Sequence, residues 1–234
     1  MSTTDAVQQF DADRAAAYDD RIRRLFPGYD RLQETVAAVL AANLPKTARL
    51  LVAGAGTGTE ILQMGRAHPQ WRFTAVDPSP AMMERCRQKV ANAGLNDRVE
   101  YVDAPVEKMP KTRSFDAATS LLVTHFIEGE EAKRHYFHSI AKRLTPGAPL
   151  VWADLYRPSE DDAFQRLWTA WRTQMHTHLD ANTVAEAFGD IEAGISFVPP
   201  AVLGRLATDA GLTSPTPIYR QLLWGAWVAR RGDD

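Results

Sequence analysis

The chain has almost no cysteine: Cys86 stands alone among 234 residues, which excludes an internal disulfide and any zinc cluster built on cysteines. It also lacks a long hydrophobic run, since no apolar stretch approaches the roughly 18 residues of a membrane span. The opening residues Met1-Ser2-Thr3-Thr4-Asp5 have neither the basic start nor the apolar centre of a secretory leader, so the expected location is the cytoplasm, with no membrane partner. An excess of charge is missing too. The formal net charge of −2 offers no general attraction to nucleic acid, although Arg21, Arg23 and Arg24 form a local basic cluster. A small-molecule partner is therefore expected rather than a nucleic acid. Glycine and proline, 14 residues each, are far below the share that marks low-complexity chains. What remains, 45% hydrophobic and 24% charged residues, is the composition of an ordinary globular protein. The length suits one α/β domain over 1–234.

Apolar segments with strand character alternate with longer segments of helical period, an order that predicts βαβ units and a parallel sheet. The candidate strands are Arg49–Gly54, Trp71–Val76, Arg98–Val102, Phe115–Leu121 and Pro149–Asp154, with helices at about Gly58–His68, Ser79–Ala93 and Gly129–Leu144. Thr216–Arg220 and Leu223–Ala229 leave no room for a crossover between them and predict an antiparallel closing hairpin, 216–229. Ahead of the first strand, residues 11–44 read as two helices broken at Pro27-Gly28. An insertion at 159–210 reads as helices capping the sheet.

The segment Leu50-Leu51-Val52-Ala53-Gly54-Ala55-Gly56-Thr57-Gly58-Thr59 is an apolar strand that runs into alternate glycines and then a helix. Without a Cβ, glycine lets the chain turn sharply and lets a ligand approach the backbone; the same pattern also serves a tight turn that binds nothing. About 20 residues on, Val76-Asp77-Pro78-Ser79-Pro80 places a carboxylate at the end of the second strand, where it can accept both hydroxyl protons of a ribose. Ser79 and Pro80 supply a helix cap and first-turn proline, which leaves Asp77 for a ligand. Asp103 and Ala104, after the third strand, offer an acceptor and an N–H suited to an adenine edge, although an Asp there often marks only a turn.

Dinucleotide sites read G-x-G-x-x-G, whereas Gly54, Gly56 and Gly58 read G-x-G-x-G, which argues against a nicotinamide-dependent oxidoreductase. In these motifs the chain resembles the class I S-adenosylmethionine-dependent methyltransferases over nearly its whole length. Three strings, RRLFPGYDRL, AVDPSPAMMERCRQKV and LVTHFIEGEEAKRHYFHSIAKRLTPGAPLVWAD, look most like the carboxy-S-adenosylmethionine synthase group and its methyltransferase relatives. The resemblance implies a Rossmann-like, seven-stranded, mostly parallel sheet with one antiparallel strand, helices on both faces and a helical cap. It further implies S-adenosylmethionine as cofactor, a donor-binding core over 49–154 and a homodimer. On the matching positions it places Gly54, Ala55 and Gly56 along the methionine part, Asp77 on the ribose, Pro78 beside the adenine, and Asp103 with Ala104 at the adenine edge, with Gly58 of the same glycine loop also counted as cofactor-binding. Tyr29 would close over the donor and Leu121 would lie beneath it.

Two positions depart from the pattern. Val52 stands where an acidic residue helps orient the donor's ammonium group. Phe188 falls, in an ungapped alignment, where the carboxy-donor synthases carry an arginine, which favours ordinary S-adenosylmethionine; Arg172 or Arg205 could fill that role from elsewhere.

Methyl transfer needs alignment of donor and acceptor, and a base only where the acceptor carries a proton. His125, after the fourth strand at the carboxyl edge of the sheet, is the catalytic candidate, because histidine titrates near neutrality; its plainer role is packing at a helix start. His135 and His138 read as a solvated face. Trp168, Trp171 and Met175 fall at i, i+3 and i+7, on one helix face that serves either as core or as a hydrophobic lid over a substrate. His176 and His178 lack the partners of a metal site, and no metal is expected. The sequence thus points to methyl transfer to a small-molecule acceptor. The alternatives are a carboxy-S-adenosylmethionine synthase or user in tRNA wobble uridine modification, and a non-catalytic module that keeps the fold.

Overall fold

A computed structural model describes residues 12–110 and 114–233. The chain enters through two helices, α1 (Ala12–Leu25) and α2 (Tyr29–Asn43), and then alternates: β1 (Arg49–Ala53), α3 (Thr59–Ala67), β2 (Arg72–Val76), α4 (Pro80–Asn92), β3 (Val99–Val102), β4 (Ala117–Leu121), α5 (Glu130–Ala141) and β5 (Pro149–Leu155). Three helices follow, α6 (Asp161–Met175), α7 (Ala181–Gly194) and α8 (Pro200–Asp209), and the hairpin β6 (Thr216–Gln221) and β7 (Trp224–Arg230) closes the sheet. The expected start of the first helix at Asp11, like the opening residues, lies outside the described residues.

The strands form one seven-stranded sheet in the order β3-β2-β1-β4-β5-β7-β6. Five neighbouring strands run parallel, and β7 alone opposes them, pairing antiparallel with both β5 and β6. This is the expected Rossmann-like α/β architecture. The apolar runs of β1, β4 and β5 follow from burial on both faces, as parallel central strands require. One face carries α2, α3 and α4 together with α6 and α7; the other carries α5 and α8.

The insertion at 159–210 therefore divides. Only α6 and α7 form the cap, whereas α8 buries Leu203 and Leu206 beside Phe137 and Ile140 as a regular layer helix. Strand starts also shift slightly. Trp71 and Phe115 precede their strands, because Trp71 turns its indole N–H to the Pro45 carbonyl at 3.1 Å and Phe115 makes only an isolated bridge to Leu144.

Strand order reverses between β1 and β4, and the carboxyl ends of the strands there open a crevice, the usual ligand position in such sheets. Helix α1 crosses over this crevice.

Candidate functional site

Two adjoining cavities occupy the crevice. The larger, about 410 Å³, is lined by Gly54, Gly56, Asp77, Pro78, Leu121 and, on its far wall, Tyr136. The smaller, about 120 Å³, is lined by His125, Leu155, Ile191, Ile195 and Trp224, with Arg14 and Arg21 also in its wall. Tyr18, Leu122 and Phe126 border both and form the partition.

The glycines divide the work of the loop. At Gly54 (φ +77°) an added Cβ meets Val123 Cγ2 at 2.2 Å, and at Gly58 it meets Cys86 Sγ at 2.7 Å, so these two serve close packing. At Gly56 (φ +51°) an added Cβ meets nothing within 4 Å, because that position borders the open cavity. The loop is tied to its surroundings on both sides. The Gly56 N–H donates to Asp77 Oδ2 at 2.9 Å, while Asp19 of α1 accepts from Thr57 Oγ1 at 2.6 Å, from Thr59 Oγ1 at 3.1 Å and from Lys89 Nζ at 2.5 Å.

Asp77 is not left free by the cap as the sequence suggested. Ser79 does cap α4, accepting from the Met82 N–H, yet Asp77 Oδ1 also accepts from the Ser79 N–H at 2.8 Å. Each carboxylate oxygen keeps further acceptor capacity toward the cavity. Burial pushes the Asp77 carboxyl up to about 6, against the two backbone N–H groups that favour its anion.

A second buried carboxylate was not anticipated. Glu60, in the first turn of α3, accepts from Thr119 Oγ1 at 2.6 Å and has no cation paired with it among the described residues. Burial pushes it up to about 7. Thr119 is the register partner of Val52, so this acid stands beside the position where the family motif carries its own.

His125 occupies a one-turn 3₁₀ segment, Thr124–Phe126, not the start of a helix. It is 4% exposed, and Asp154 at the end of β5 holds it twice, through the backbone N–H at 3.0 Å and through Nδ1. Thr124 Oγ1 binds the other Asp154 oxygen. An aspartate on Nδ1 fixes the tautomer that leaves the Nε2 lone pair available to the cavity. Lys133 fastens the loop from below, donating to the carbonyls of Thr124 at 2.6 Å, Ile127 at 2.7 Å and Ser196 at 3.1 Å. Leu122 carries φ +62°, an unusual conformation for leucine, where the chain leaves β4 between the cavities.

The methyltransferase-domain family matches residues 50–147. The carboxy-S-adenosyl-L-methionine synthase of Dichelobacter nodosus is 26% identical over 222 residues, covering 94% of this chain and 91% of that protein. The protein of the same name from Erwinia tasmaniensis is 26% identical over 164 residues, 68% of this chain and 65% of that one. In structure, DhpI in its complex with SAH superposes with a TM-score of 0.63 at 18% identity, covering 95% of this chain and 94% of DhpI. These likenesses fit the fold and the donor-binding region of the class I S-adenosylmethionine-dependent methyltransferases.

Several expected site residues lie away from the cavities. Tyr29 is buried in the core beside Phe26, and Tyr18, one helix earlier, takes the place at the cavity wall. Ala55 and Gly58 sit in the loop outside the cavity lining. Asp103 turns outward to Arg87, with contacts of 2.7 and 2.8 Å, and the Ala104 N–H is used by the Val102 carbonyl at 2.9 Å. Trp168, Trp171 and Met175 face inward: Trp171 donates to the Leu25 carbonyl at 2.8 Å, and both tryptophans pack on Phe188, with ring centroids 4.8 and 4.7 Å apart. Phe188 therefore belongs to the aromatic core and faces neither cavity. Arg172 covers its ring, and Arg205 pairs with Glu130 on the outer surface.

Proposed function

We propose that the chain binds S-adenosylmethionine in the larger cavity and transfers its methyl group to a small molecule in the smaller one. Asp77 receives the ribose hydroxyls, Gly54 and Gly56 leave room for the methionine part, and Leu121 underlies the donor. The observation that carries this reading is the shared partition: Tyr18, Leu122 and Phe126 separate a glycine-and-carboxylate cavity from one containing a histidine held by an aspartate. In-line displacement requires donor and acceptor to meet end to end with water excluded, and adjoining cavities of this kind supply that. His125 Nε2 takes the acceptor's proton, and Asp154 holds the ring for it.

Calorimetry with S-adenosylmethionine, followed by product analysis on His125→Gln, tests the assignment. The variant is expected to keep the donor affinity while kcat falls by about 10²–10⁴. Loss of donor binding in that variant, or unchanged kcat, refutes the assigned role.

A second reading has specific support. Two relatives are named carboxy-S-adenosyl-L-methionine synthase, and Arg14 and Arg21 stand in the smaller cavity, toward which a carboxylate on the transferred carbon would project. Ordinary S-adenosylmethionine is the donor of the leading reading, since Arg21 is already paired with Asp190 at 2.8 Å and a carboxylate there would have to displace it. A competition assay between the two donors decides; tighter binding of the carboxylated one moves the function to this second reading.

A further inference from the structure

Lysine is rarely buried unless a carboxylate pairs with it. Lys133 of α5 is fully buried, and among the described residues it bonds backbone carbonyls alone. Its ammonium donates to Thr124 at 2.6 Å and Ile127 at 2.7 Å, on either side of His125, and to Ser196 at 3.1 Å. Three N–H donors thus meet three acceptors, which is the full capacity of an ammonium. Ser196 closes the ring of contacts. Its N–H donates to the His125 carbonyl at 2.7 Å, so both backbone groups of Ser196 are tied to the His125 turn, one directly and one through Lys133.

Both segments joined in this way line the smaller cavity. The turn supplies His125, and the chain leaving α7 supplies Ile195, the residue before Ser196; Ile191 in the last turn of α7 lines the same cavity. Asp154 fixes the imidazole to the sheet, through the His125 N–H and Nδ1. That contact does not set how far the ring stands from the part of the wall that the cap supplies. The bonds of Lys133 and Ser196 do.

We propose that Lys133 is a positioning residue for His125, holding its turn against residues 195–199 and so setting where the imidazole stands relative to a bound acceptor. This rests on the role of His125 given above. The protonated form is the one that fits, since a neutral amine fills two carbonyl sites and turns a lone pair on the third. Burial pulls the ammonium down to about 8, with the Asp154 carboxylate acting against it. The titratable and charged groups on the segments packed around it are His125 and Glu128 on the turn, Asp154 on β5, and Arg205 and Asp209 on α8; Arg205 pairs with Asp209 and with Glu130 of α5. Residues 195–199 carry none. The clamp is therefore complete near neutrality and loosens as pH rises through about 8.

The full chain, with heavy nitrogen in its histidines and serines, is compared with Lys133→Gln by NMR, and His125→Gln and Ser196→Ala assign the signals. Lys133→Gln is expected to speed exchange of the Ser196 amide proton about tenfold or more. The two His125 ring nitrogens, well separated in wild type where Asp154 holds one tautomer, should move toward each other, while the S-adenosylmethionine Kd from calorimetry stays within about twofold. In wild type, raising pH from 7 to 9 should move the same signals in the same sense, with the circular dichroism spectrum unchanged. A folded variant with wild-type Ser196 exchange and wild-type His125 ring shifts overturns the inference. If the variant does not fold, the wild-type titration decides, and signals that stay fixed across it overturn the inference equally. Failure of the His125 reading is seen in a different measurement, an unchanged kcat in His125→Gln, and removes the inference whatever the signals show.

Discussion

Replacing Asp77 by asparagine should separate donor binding from stability. In the folded protein burial raises this carboxyl from 3.8 to about 6. That shift corresponds to about 3 kcal/mol against the ionised form. Because the folded value lies above the unfolded one, the wild-type fold loses that stability as pH rises from about 4 through 6. Asparagine never ionises and escapes the loss. It can accept from only one of the Gly56 and Ser79 N–H groups, and orphaning the other costs about 1–3 kcal/mol. The two effects largely offset, so at pH 8 the variant is expected within about 2 kcal/mol of wild type, while wild type alone shows the decline between pH 4 and 6. Donor binding has no such offset. A charged acceptor for the ribose hydroxyls is lost, worth about 1.5–3 kcal/mol per hydrogen bond, or roughly a hundredfold in affinity. Asp77→Ala, which removes both oxygens, should weaken binding further. Calorimetry at pH 8 and urea denaturation at pH 4.5 and 8 measure both quantities. An affinity within twofold of wild type in folded Asp77→Asn would show that the ribose lies elsewhere.

Gly56→Ala should weaken donor binding with the circular dichroism spectrum intact, since its Cβ enters open cavity, and Gly54→Ala should melt earlier, because both positions carry the strain of a positive φ and only at Gly54 does the Cβ also collide with Val123; equal melting temperatures for the two contradict this division. Glu60→Gln should raise the melting temperature at pH 8 and leave it little changed at pH 4, because burial lifts the Glu60 carboxyl from 4.5 to about 7 and the wild-type fold loses stability across that window. A wild-type melting temperature that rises between pH 5 and 7 relative to the variant reverses the sign and refutes the assignment. Lys133→Met should destabilise by about 3 kcal/mol or more, as three carbonyls lose their donor; urea denaturation reads it, and an unchanged midpoint argues that solvent replaces the ammonium.

The sheet was legible because its central strands are buried on both faces, which writes them as apolar runs closed by glycine or aspartate. The glycine loop and Asp77 were legible for the same reason, being the points where those runs stop. What escaped depended on docking between distant segments. Tyr18 and Tyr29 both follow from helical sequence, and only the seating of α1 over the crevice selects Tyr18. The amphipathic stripe Trp168-Trp171-Met175 announces a buried face and is silent on whether core or ligand buries it. Two signals were present and unread. Asp154 is a lone acid at the end of an otherwise apolar, fully buried strand, and Glu60 shares the buried phase of Ile61 and Met64 in α3. An acid on an apolar phase has to find a partner inside the protein, and each does.

Helix α1 lies against both cavities through Tyr18, and its Asp19 holds the glycine loop through Thr57, Thr59 and Lys89. A displacement of this helix would therefore disturb both cavities at once. Exchange of donor and acceptor should then show one common dependence on solvent viscosity. Salt, which screens the exposed Arg21–Asp190 pair at the mouth, should speed both together.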